Sequence, residues 1–424
     1  MTNSEMENTQ EHQEQPANDY DEEAYVDQDE IEEVADDHGL APEDDDDDMD
    51  VEGQEETLEI DMSNNSWTYF DQHKDSIFTV FKHPSLPMVV TGGGDETAYM
   101  WTTHTQPPRF VGELAGHKES VIAGGFTGDG KYVITTDMAG LTQVHKSAKG
   151  GQKWTKFAEW DDQEESIWVT VHPLQLYFAM GGQSGSVWVY RIDEQLGSLE
   201  QIMGGFSHSM ECNDGIFVDV DNQEQLTLIT CSEDGSIVCW NAFTGAVRYK
   251  LTPHDNFKGV ESPWVKITAH KNVFAAGARD GQLAIVNSDT GRIVHTVKAL
   301  DNADDIADLS IEALAWCRNP TVNILAVGLV SGDVLLFDSL QWRVRRTIKL
   351  EDAATKLEFI ENTPFLVGSC MNGRMYKWDA RTGDEMFVGY GHNAGILDFA
   401  VMDHGKKLVT AGDEGVSLIF ETEQ

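Results

Sequence analysis

The chain has 424 residues, and its 74 acidic side chains far outnumber its 29 Lys and Arg, which gives a formal net charge of −45. Nucleic-acid binding needs clustered Lys and Arg against phosphate, so this composition argues against direct contact with nucleic acid and favours a basic protein or peptide as partner. No apolar run is long enough to cross a bilayer, and acidic residues occupy the N-terminus where a secretory signal would be basic and then apolar.

The cysteines point to a reducing compartment. There are five of them, an odd number, and none stands in CxxC spacing, so we expect buried free thiols and no disulfide framework. Together with the missing signals for export and membrane insertion, this predicts a soluble cytosolic or nuclear protein, and of the two compartments we expect the cytoplasm. We also expect a monomer.

The first element along the chain is an acidic segment, residues 1–56. Residues 1–73 together hold 28 Asp and Glu and neither Lys nor Arg. Such a segment has too little apolar surface to offset the entropy of ordering, so we predict a disordered tail. A solubilising tail and an auxiliary attraction for basic partners explain this composition equally well.

From residue 57 to the end, one pattern recurs eight times. Its clearest copies are Gly93-Gly94-Asp95 through Trp101, Asp234-Gly235 through Trp240, Asp280-Gly281 through Val286, and Asn372-Gly373 through Trp378. Gly-His pairs precede two copies, and Trp378-Asp379 ends another. A period of roughly 40–45 residues with these features is typical of WD40 blades. We therefore predict an all-β, eight-bladed WD40 β-propeller over residues 57–424, with seven blades as the alternative if one weak copy is a decorated loop.

The last repeat ends at Phe420 after only three strands. Its fourth strand must come from elsewhere, and residues 66–70, just before the first repeat, have a suitable aromatic and β-branched composition. We predict that a strand near 66–70 closes the ring and removes the exposed sheet edges.

The recurring turn carboxylates have a structural explanation. In WD40 blades such an Asp sits in a tight turn and binds the His of the Gly-His pair, so we assign this role to a set that recurs in phase. The set is Asp95, His117, Asp137, Asp234, Asp280 and His392.

No pattern indicates an enzyme. The chain has no GxSxG elbow, no GxxxxGK[ST] loop, no HExxH and no zinc spacing of His and Cys. We expect no catalytic residue, no metal and no cofactor.

Acidic residues recur where the chain enters the innermost strand of nearly every blade. Those entries open onto one face around the central channel, and acid there concentrates the field over that face. We predict a binding site for a basic client at this acidic rim. Its residues are Asp75, Glu119, Glu165, Asp214, Glu261, Glu312 and Asp398. Trp168 and Trp264 follow two of these entries and either contact the client or pack in the core.

Several stretches in combination resemble one family. They are Gly92-Gly93-Gly94-Asp95, Gly116-His117-Lys118-Glu119-Ser120-Val121, residues 310–316, residues 342–346, Gly391-His392-Asn393, residues 396–399 and residues 411–417. Together they resemble the fungal family of the suppressor-of-QSR-truncations WD-repeat protein. The animal angio-associated migratory cell protein is similar at a greater distance.

The resemblance implies a dedicated chaperone. Its client in that family is a very basic large-subunit ribosomal protein that joins the 60S particle late, in the cytoplasm, and whose basic N-terminal segment is captured on the acidic propeller face. Glu119, Glu165 and Glu312 match acidic positions of that face. A general WD40 scaffold for multiprotein complexes and a histone-type chaperone for basic proteins remain alternatives.

Overall fold

The structure is a computed structural model that describes residues 63–161, 164–300 and 305–422. The predicted tail, residues 1–56, and the first six residues of the predicted propeller domain, 57–62, lie outside the described residues.

The described residues form 32 strands and two 3₁₀ segments, the latter at Ile306–Leu309 and Asp403–Gly405. The first half contains β1 Thr68–Phe70, β2 Ile77–Lys82, β3 Met88–Gly93, β4 Ala98–Thr102, β5 Phe110–Leu114, β6 Val121–Phe126, β7 Tyr132–Asp137, β8 Leu141–Ala148, β9 Lys153–Asp161, β10 Ser166–Val171, β11 Tyr177–Gly182, β12 Val187–Asp193, β13 Ser198–Gly205, β14 Cys212–Val218, β15 Thr227–Ser232 and β16 Ile237–Asn241. The second half contains β17 Ala246–Leu251, β18 Trp264–His270, β19 Val273–Ala278, β20 Gln282–Asn287, β21 Ile293–Lys298, β22 Ile311–Trp316, β23 Ile324–Leu329, β24 Asp333–Asp338, β25 Arg343–Lys349, β26 Ala354–Phe359, β27 Phe365–Cys370, β28 Met375–Asp379, β29 Asp384–Gly389, β30 Ile396–Met402, β31 Lys407–Gly412 and β32 Ser417–Glu421.

These strands make eight four-stranded antiparallel sheets. Blades 1 to 7 are formed by consecutive sets of four strands from β2 to β29, and blade 8 contains β30, β31, β32 and β1. The innermost strand of each blade contacts the innermost strands of both neighbours, so the eight strands surround a closed central channel. The predicted eight-bladed WD40 propeller is confirmed, and the seven-bladed alternative is wrong.

The ring closes through β1. Its three residues pair antiparallel with β32, Thr68 opposite Ile419 and Phe70 opposite Ser417. Phe70 also stacks on Trp101 of blade 1, with ring centroids 4.7 Å apart. Chain segments from the two ends of the described region are thereby joined in one sheet, and that sheet packs against the first blade.

Packing between blades explains why the strands are apolar on both sides. The second strand of each sheet lies between two neighbouring sheets, and all six residues of β15, for example, are buried. The largest fully buried side chains are Trp101, Trp240, Trp264 and Trp378. Burial of this kind, repeated between every pair of blades, is the main favourable term in the folding of the ring.

One hydrogen bond recurs in all eight blades and defines the two faces of the propeller. The turn between the second and third strands donates a backbone N–H to the carbonyl just before the innermost strand, over 2.8–3.0 Å. The pairs are Gly94–Ser76, Met138–Ser120, Gln183–Glu165, Glu233–Glu211, Arg279–Pro263, Val330–Ser310, Met371–Ala353 and Asp413–Gly395. We call the face that carries these turns and the entries to the inner strands the rim face, and the other the opposite face.

The predicted His–Asp contacts are present in blades 1, 2 and 4. In blade 2, His117 Nδ1 lies 3.2 Å from Asp137 Oδ2, and its Nε2 lies 2.9 Å from Thr135 Oγ1. Burial disfavours the ionised form of Asp137, but hydrogen bonds from His117 and from the backbone outweigh it and lower the pKa of the carboxyl. Asp95 contacts His73 at 2.9 Å, and the longer Asp234–His208 contact is 3.8 Å.

Two members of the set have other partners than expected. Asp280 accepts a hydrogen bond from the hydroxyl of Ser262 at 2.9 Å, so in blade 5 a Ser of the loop before β18 takes the role that a His has in blades 1, 2, 4 and 8. His392 binds Glu414 in place of an Asp, and its Nε2 lies 2.6 Å from Thr410 Oγ1. The turn is therefore held by His–Asp in blades 1, 2 and 4, by Ser–Asp in blade 5 and by His–Glu in blade 8.

Candidate functional site: the acidic rim face

Charge is distributed unequally between the two faces. Between the strand bounds given above, the described loops of the rim face hold 19 acids and five bases, whereas those of the opposite face hold eight of each. The rim acids are Asp71, Asp75, Asp95, Glu96, Glu119, Glu164, Glu165, Glu211, Glu233, Asp234, Asp255, Glu261, Asp280, Asp305, Asp308, Glu351, Asp352, Asp413 and Glu414. Because like charges on one surface add, the negative potential is concentrated over the rim face.

Three of the five basic side chains of the rim face are in ion pairs with acids, which reduces their effect on the potential of this face. Arg279 lies 3.0 Å from Glu233, and Arg374 lies 3.0 Å from Glu351. Lys118 pairs with Asp161 at the end of β9. These ion pairs lie at the surface and stabilise the fold little. Because the acids of the rim face far outnumber its bases, an excess of negative charge remains after this pairing.

Four of the seven predicted rim acids lie in the loops where the sequence placed them. Asp75, Glu119 and Glu261 are exposed on three different blades, and Glu165 is half-buried directly before β10. Glu165 also accepts the recurring turn hydrogen bond through its backbone carbonyl, which fixes its backbone at a defined point of the rim.

Glu312 lies inside the strand rather than in the loop. It is the second residue of β22, is half-buried, and accepts a hydrogen bond from the Ser310 hydroxyl at 2.6 Å. A β-bulge occurs here, between Ile311 and Ala313, and the extra residue leaves Glu312 out of register with β23. Among the seven predicted rim acids, Glu312 is therefore the one that occupies the bulge of an inner strand.

Asp214 and Asp398 are corrections to the predicted rim. Both lie one residue beyond the bulge of their inner strands and hold the next blade, since Asp214 accepts from Ile267 N at 3.0 Å and Asp398 from Val80 N at 2.8 Å. Their side chains are only 15% and 17% exposed.

Each of these two carboxylates also has a lysine partner. Lys266 lies 3.7 Å from Asp214, and Lys356 lies 2.6 Å from Asp398. Burial would lower the pKa of Lys356, but the attraction to Asp398 outweighs it, so the pKa is raised. These acids are neutralised links between blades, which makes them poor receptors for a basic client.

The structure places both predicted aromatic residues in the core. Trp168 is 7% exposed and donates its indole N–H to Cys212 O at 2.9 Å, and Trp264 is fully buried and donates to Gly235 O at 2.8 Å. A Cβ added at Gly215 would lie 2.2 Å from the Trp168 ring, so glycine is required for the indole to fit between blades 3 and 4. Neither indole is available to a client.

The turns between second and third strands contribute further rim-face acids, which the pattern of acidic loops before the inner strands did not predict. Glu96, Glu233 and Asp413 lie in such turns, on the same face as the predicted acids. Their position on this face was predictable, because the contact between the turn Asp and the His before the inner strand brings the two loops together.

Nothing in the described residues suggests a reactive centre. No group of three His, Cys, Asp or Glu side chains there is arranged to hold a metal ion. All five cysteines are buried free thiols, and burial raises the pKa of Cys239 to about 11, which makes it a poor nucleophile. No helix in the described ranges is long and apolar enough to span a membrane.

Comparisons with known proteins agree with this architecture. The WD domain, G-beta repeat model matches residues 64–102, which cover most of blade 1. The human angio-associated migratory cell protein is 25% identical over 362 residues, covering 83% of this chain and 79% of that protein. The ribosome assembly protein SQT1 of Saccharomyces cerevisiae is 45% identical over 400 residues, covering 89% of this chain and 92% of that protein.

Two solved structures are similar over nearly the whole propeller. The crystal structure of Saccharomyces cerevisiae Sqt1 has a TM-score of 0.81 and 44% identity, and covers 86% of this chain and 100% of its own. Sqt1 of Chaetomium thermophilum, bound to the N-terminus of the ribosomal protein L10, has a TM-score of 0.76 and 27% identity, covering 85% and 100%. The extent of the identity to the yeast protein shows that this chain belongs to the family of the Sqt1 ribosome assembly protein.

Proposed function

We propose that this protein is a non-enzymatic chaperone that binds the basic N-terminal segment of the ribosomal protein L10 on its rim face. The observation that carries the proposal is the confinement of excess acid to one face of the propeller. A relative of the same fold is bound to that ribosomal segment, which supports the choice of client. Glu119, Glu165, Glu261, Asp75 and Glu312 are the proposed contacts.

The physical reason for such a chaperone lies in the client. A basic ribosomal segment without its rRNA binds other polyanions indiscriminately, and an acidic face neutralises it until assembly. Ion pairs at an exposed rim form quickly and are weakened by salt, so they suit a chaperone that must release its client. Release follows when rRNA, a denser polyanion, competes for the same Lys and Arg.

The proposed place of action is the cytoplasm, in the late assembly of the large ribosomal subunit. An enzymatic role is not proposed, because the described carboxylates of the rim face are solvated or held in hydrogen bonds within its loops and turns, as Asp280 is with Ser262 and Glu312 is with Ser310. A propeller whose rim serves one basic client needs neither metal nor cofactor.

The test uses the purified full chain and a synthetic peptide of the N-terminal segment of the organism's own L10. The triple variant Glu119→Lys, Glu165→Lys, Glu312→Lys should bind it at least about 100-fold more weakly at low salt, because attraction becomes repulsion at the rim. Affinity is measured by titration calorimetry, and thermal unfolding shows whether the fold is kept.

The matched control makes the same charge change on the opposite face, with Asp221→Lys, Glu224→Lys and Glu361→Lys, three exposed acids. It should stay within about threefold of the wild type. Equal losses in both triple variants would mean that only net charge matters. An unaffected rim variant would move the site elsewhere and favour the scaffold, and equally tight binding of a histone-tail peptide would favour a general chaperone of basic proteins.

A further inference from the structure

The bulged residue of each inner strand has the same place in all eight blades. It lies between the first and third residues of the strand, where the pairing register shifts, and each of the eight is half-buried. Five are apolar: Phe78, Ile122, Ile167, Val265 and Leu397. Three are polar: Asn213, Glu312 and Thr355. We call these eight residues the mouth ring.

Contacts of the polar members show where the mouth ring lies. Asn213 Nδ2 donates to Trp264 O at 2.7 Å, and Thr355 Oγ1 donates to Ile396 O at 2.6 Å. In both cases the acceptor belongs to the first residue of the inner strand in the next blade. Asn213 and Thr355 thus bridge neighbouring inner strands at the end of the channel that opens onto the rim face.

The mouth ring has two unlike sides. Blades 8, 1, 2 and 3 contribute only apolar side chains, whereas the three polar residues come from blades 4, 6 and 7. Blade 6 is four blades from blade 2 in a ring of eight, so Glu312 stands across the channel from Ile122.

Three neighbouring apolar members do not contribute to the described core. Leu397, Phe78 and Ile122, from blades 8, 1 and 2, are half-buried and belong to none of the apolar clusters between the described blades, unlike Ile167, which packs on one. Side chains of this size that are neither in the core nor fully solvated are typical of the centre of a binding site.

We call Leu397, Phe78 and Ile122 the apolar arc. We propose that the apolar arc receives an apolar or aromatic side chain of the basic client segment, next to a basic residue that pairs with Glu312. The inference rests on the proposed function and adds the rule for recognition. The surrounding acids favour a basic segment by charge complementarity, and the arc selects among basic segments. Charge alone cannot distinguish a ribosomal segment from any other polycation, whereas a desolvated apolar contact can.

The test compares two peptides on the purified full chain. One is the L10 N-terminal peptide, and the other is an oligo-lysine peptide of equal length and net charge. The wild type should prefer the L10 peptide, and the triple variant Phe78→Ser, Ile122→Ser, Leu397→Ser should lose about 30-fold of its affinity for it while binding oligo-lysine unchanged. The dependence of log Kd on log salt should keep its slope, since no charge is altered.

Controls separate this proposal from the proposed function. Leu174→Ser with Leu196→Ser removes two exposed leucines from the opposite face, which are 64% and 78% exposed, and should leave both affinities unchanged. Wild-type affinity for the L10 peptide in the arc variant, with loss retained in the Glu312→Lys variant, would overturn the arc but keep the chaperone. Equal wild-type affinity for the two peptides would overturn the arc as well, and insensitivity to the rim Lys variants would overturn the chaperone itself.

Discussion

Two acids one position apart in the same strand pattern serve different purposes. Glu312 occupies the bulge of its inner strand on the rim-face side and accepts a hydrogen bond from the Ser310 hydroxyl. Asp398 occupies the next position and is held by a backbone N–H of the neighbouring blade and by Lys356. The bulge decides between them, because one extra residue changes the direction in which the following side chains point.

The Asp398→Ala variant should therefore lose stability rather than a client contact. It would leave the N–H of Val80 and the ammonium of Lys356 without their partner, and such groups cost about 2–4 kcal/mol of unfolding free energy when they are shielded from water. Chemical denaturation monitored by tryptophan fluorescence measures the loss.

Glu119→Ala provides the comparison at this scale, since Glu119 is exposed on the rim face and its removal should change stability by less than about 0.5 kcal/mol. If Asp398→Ala kept full stability and lost affinity for the L10 peptide, Asp398 would return to the client site.

At the scale of single strands, the short strand β1 contributes much to the closure of the ring for its length. It has only three residues, so few backbone hydrogen bonds join it to β32, and its attachment to the sheet depends on side-chain contacts. Phe70 is 5% exposed and stacks on Trp101, whereas Tyr69, on the other side of the strand, is 57% exposed. Beside the strand, Lys407 Nζ lies 3.7 Å above the ring of Trp67.

The Phe70→Ala variant should weaken ring closure. Loss of a buried aromatic side chain costs about 3–5 kcal/mol, and here the loss falls where the first and last blades meet. A lower melting temperature and easier proteolysis near residues 60–75 are the expected signs. Tyr69→Ala is the matched control in the same strand, and an equal effect of both variants would mean that backbone pairing, not Phe70, closes the ring.

Over the whole molecule, the two faces of one rigid scaffold differ in charge. The fold is held by apolar packing between blades, which leaves the loops of both faces free to vary, and only the rim face has accumulated acid. Charge on such a face would attract a basic segment from a distance, whereas the proposed apolar arc at its centre would act only on contact.

Affinity for the L10 peptide should consequently fall as salt is raised, by about 10- to 100-fold between 50 and 500 mM NaCl, because the ions screen exposed charges. The triple variant Glu119→Gln, Glu165→Gln, Glu312→Gln should show a shallower dependence in the same titrations. Opposite-face Gln substitutions at Asp221, Glu224 and Glu361 should preserve the wild-type slope. Affinity that does not change with salt would show that the rim charges are not what holds the client.

The features that repeat along the chain could be predicted from the amino-acid sequence alone. The number of blades, the turn carboxylates of blades 1, 2 and 4 and the acidity of the loops before the inner strands are local patterns, and each copy supports the others. The strand near 66–70 was expected because the last repeat lacked its fourth strand, and the structure pairs Thr68–Phe70 there. Exposed acids such as Glu119 and Glu261 could be assigned because a loop position already implies contact with solvent.

Which of these acids are exposed on the rim face and which are held between blades depends on the tertiary structure. Asp214 and Asp398 follow a bulge that no local pattern reveals, and their partners belong to the next blade. Trp168 fits into a gap made by Gly215 of the next blade, far along the chain. The apolar arc exists only when blades 8, 1 and 2 are adjacent, and that adjacency comes from closing the ring. Spacing along the sequence does not encode contacts between distant parts of the chain, so only the fold separates the exposed acids of the rim face from the acids that hold neighbouring blades together.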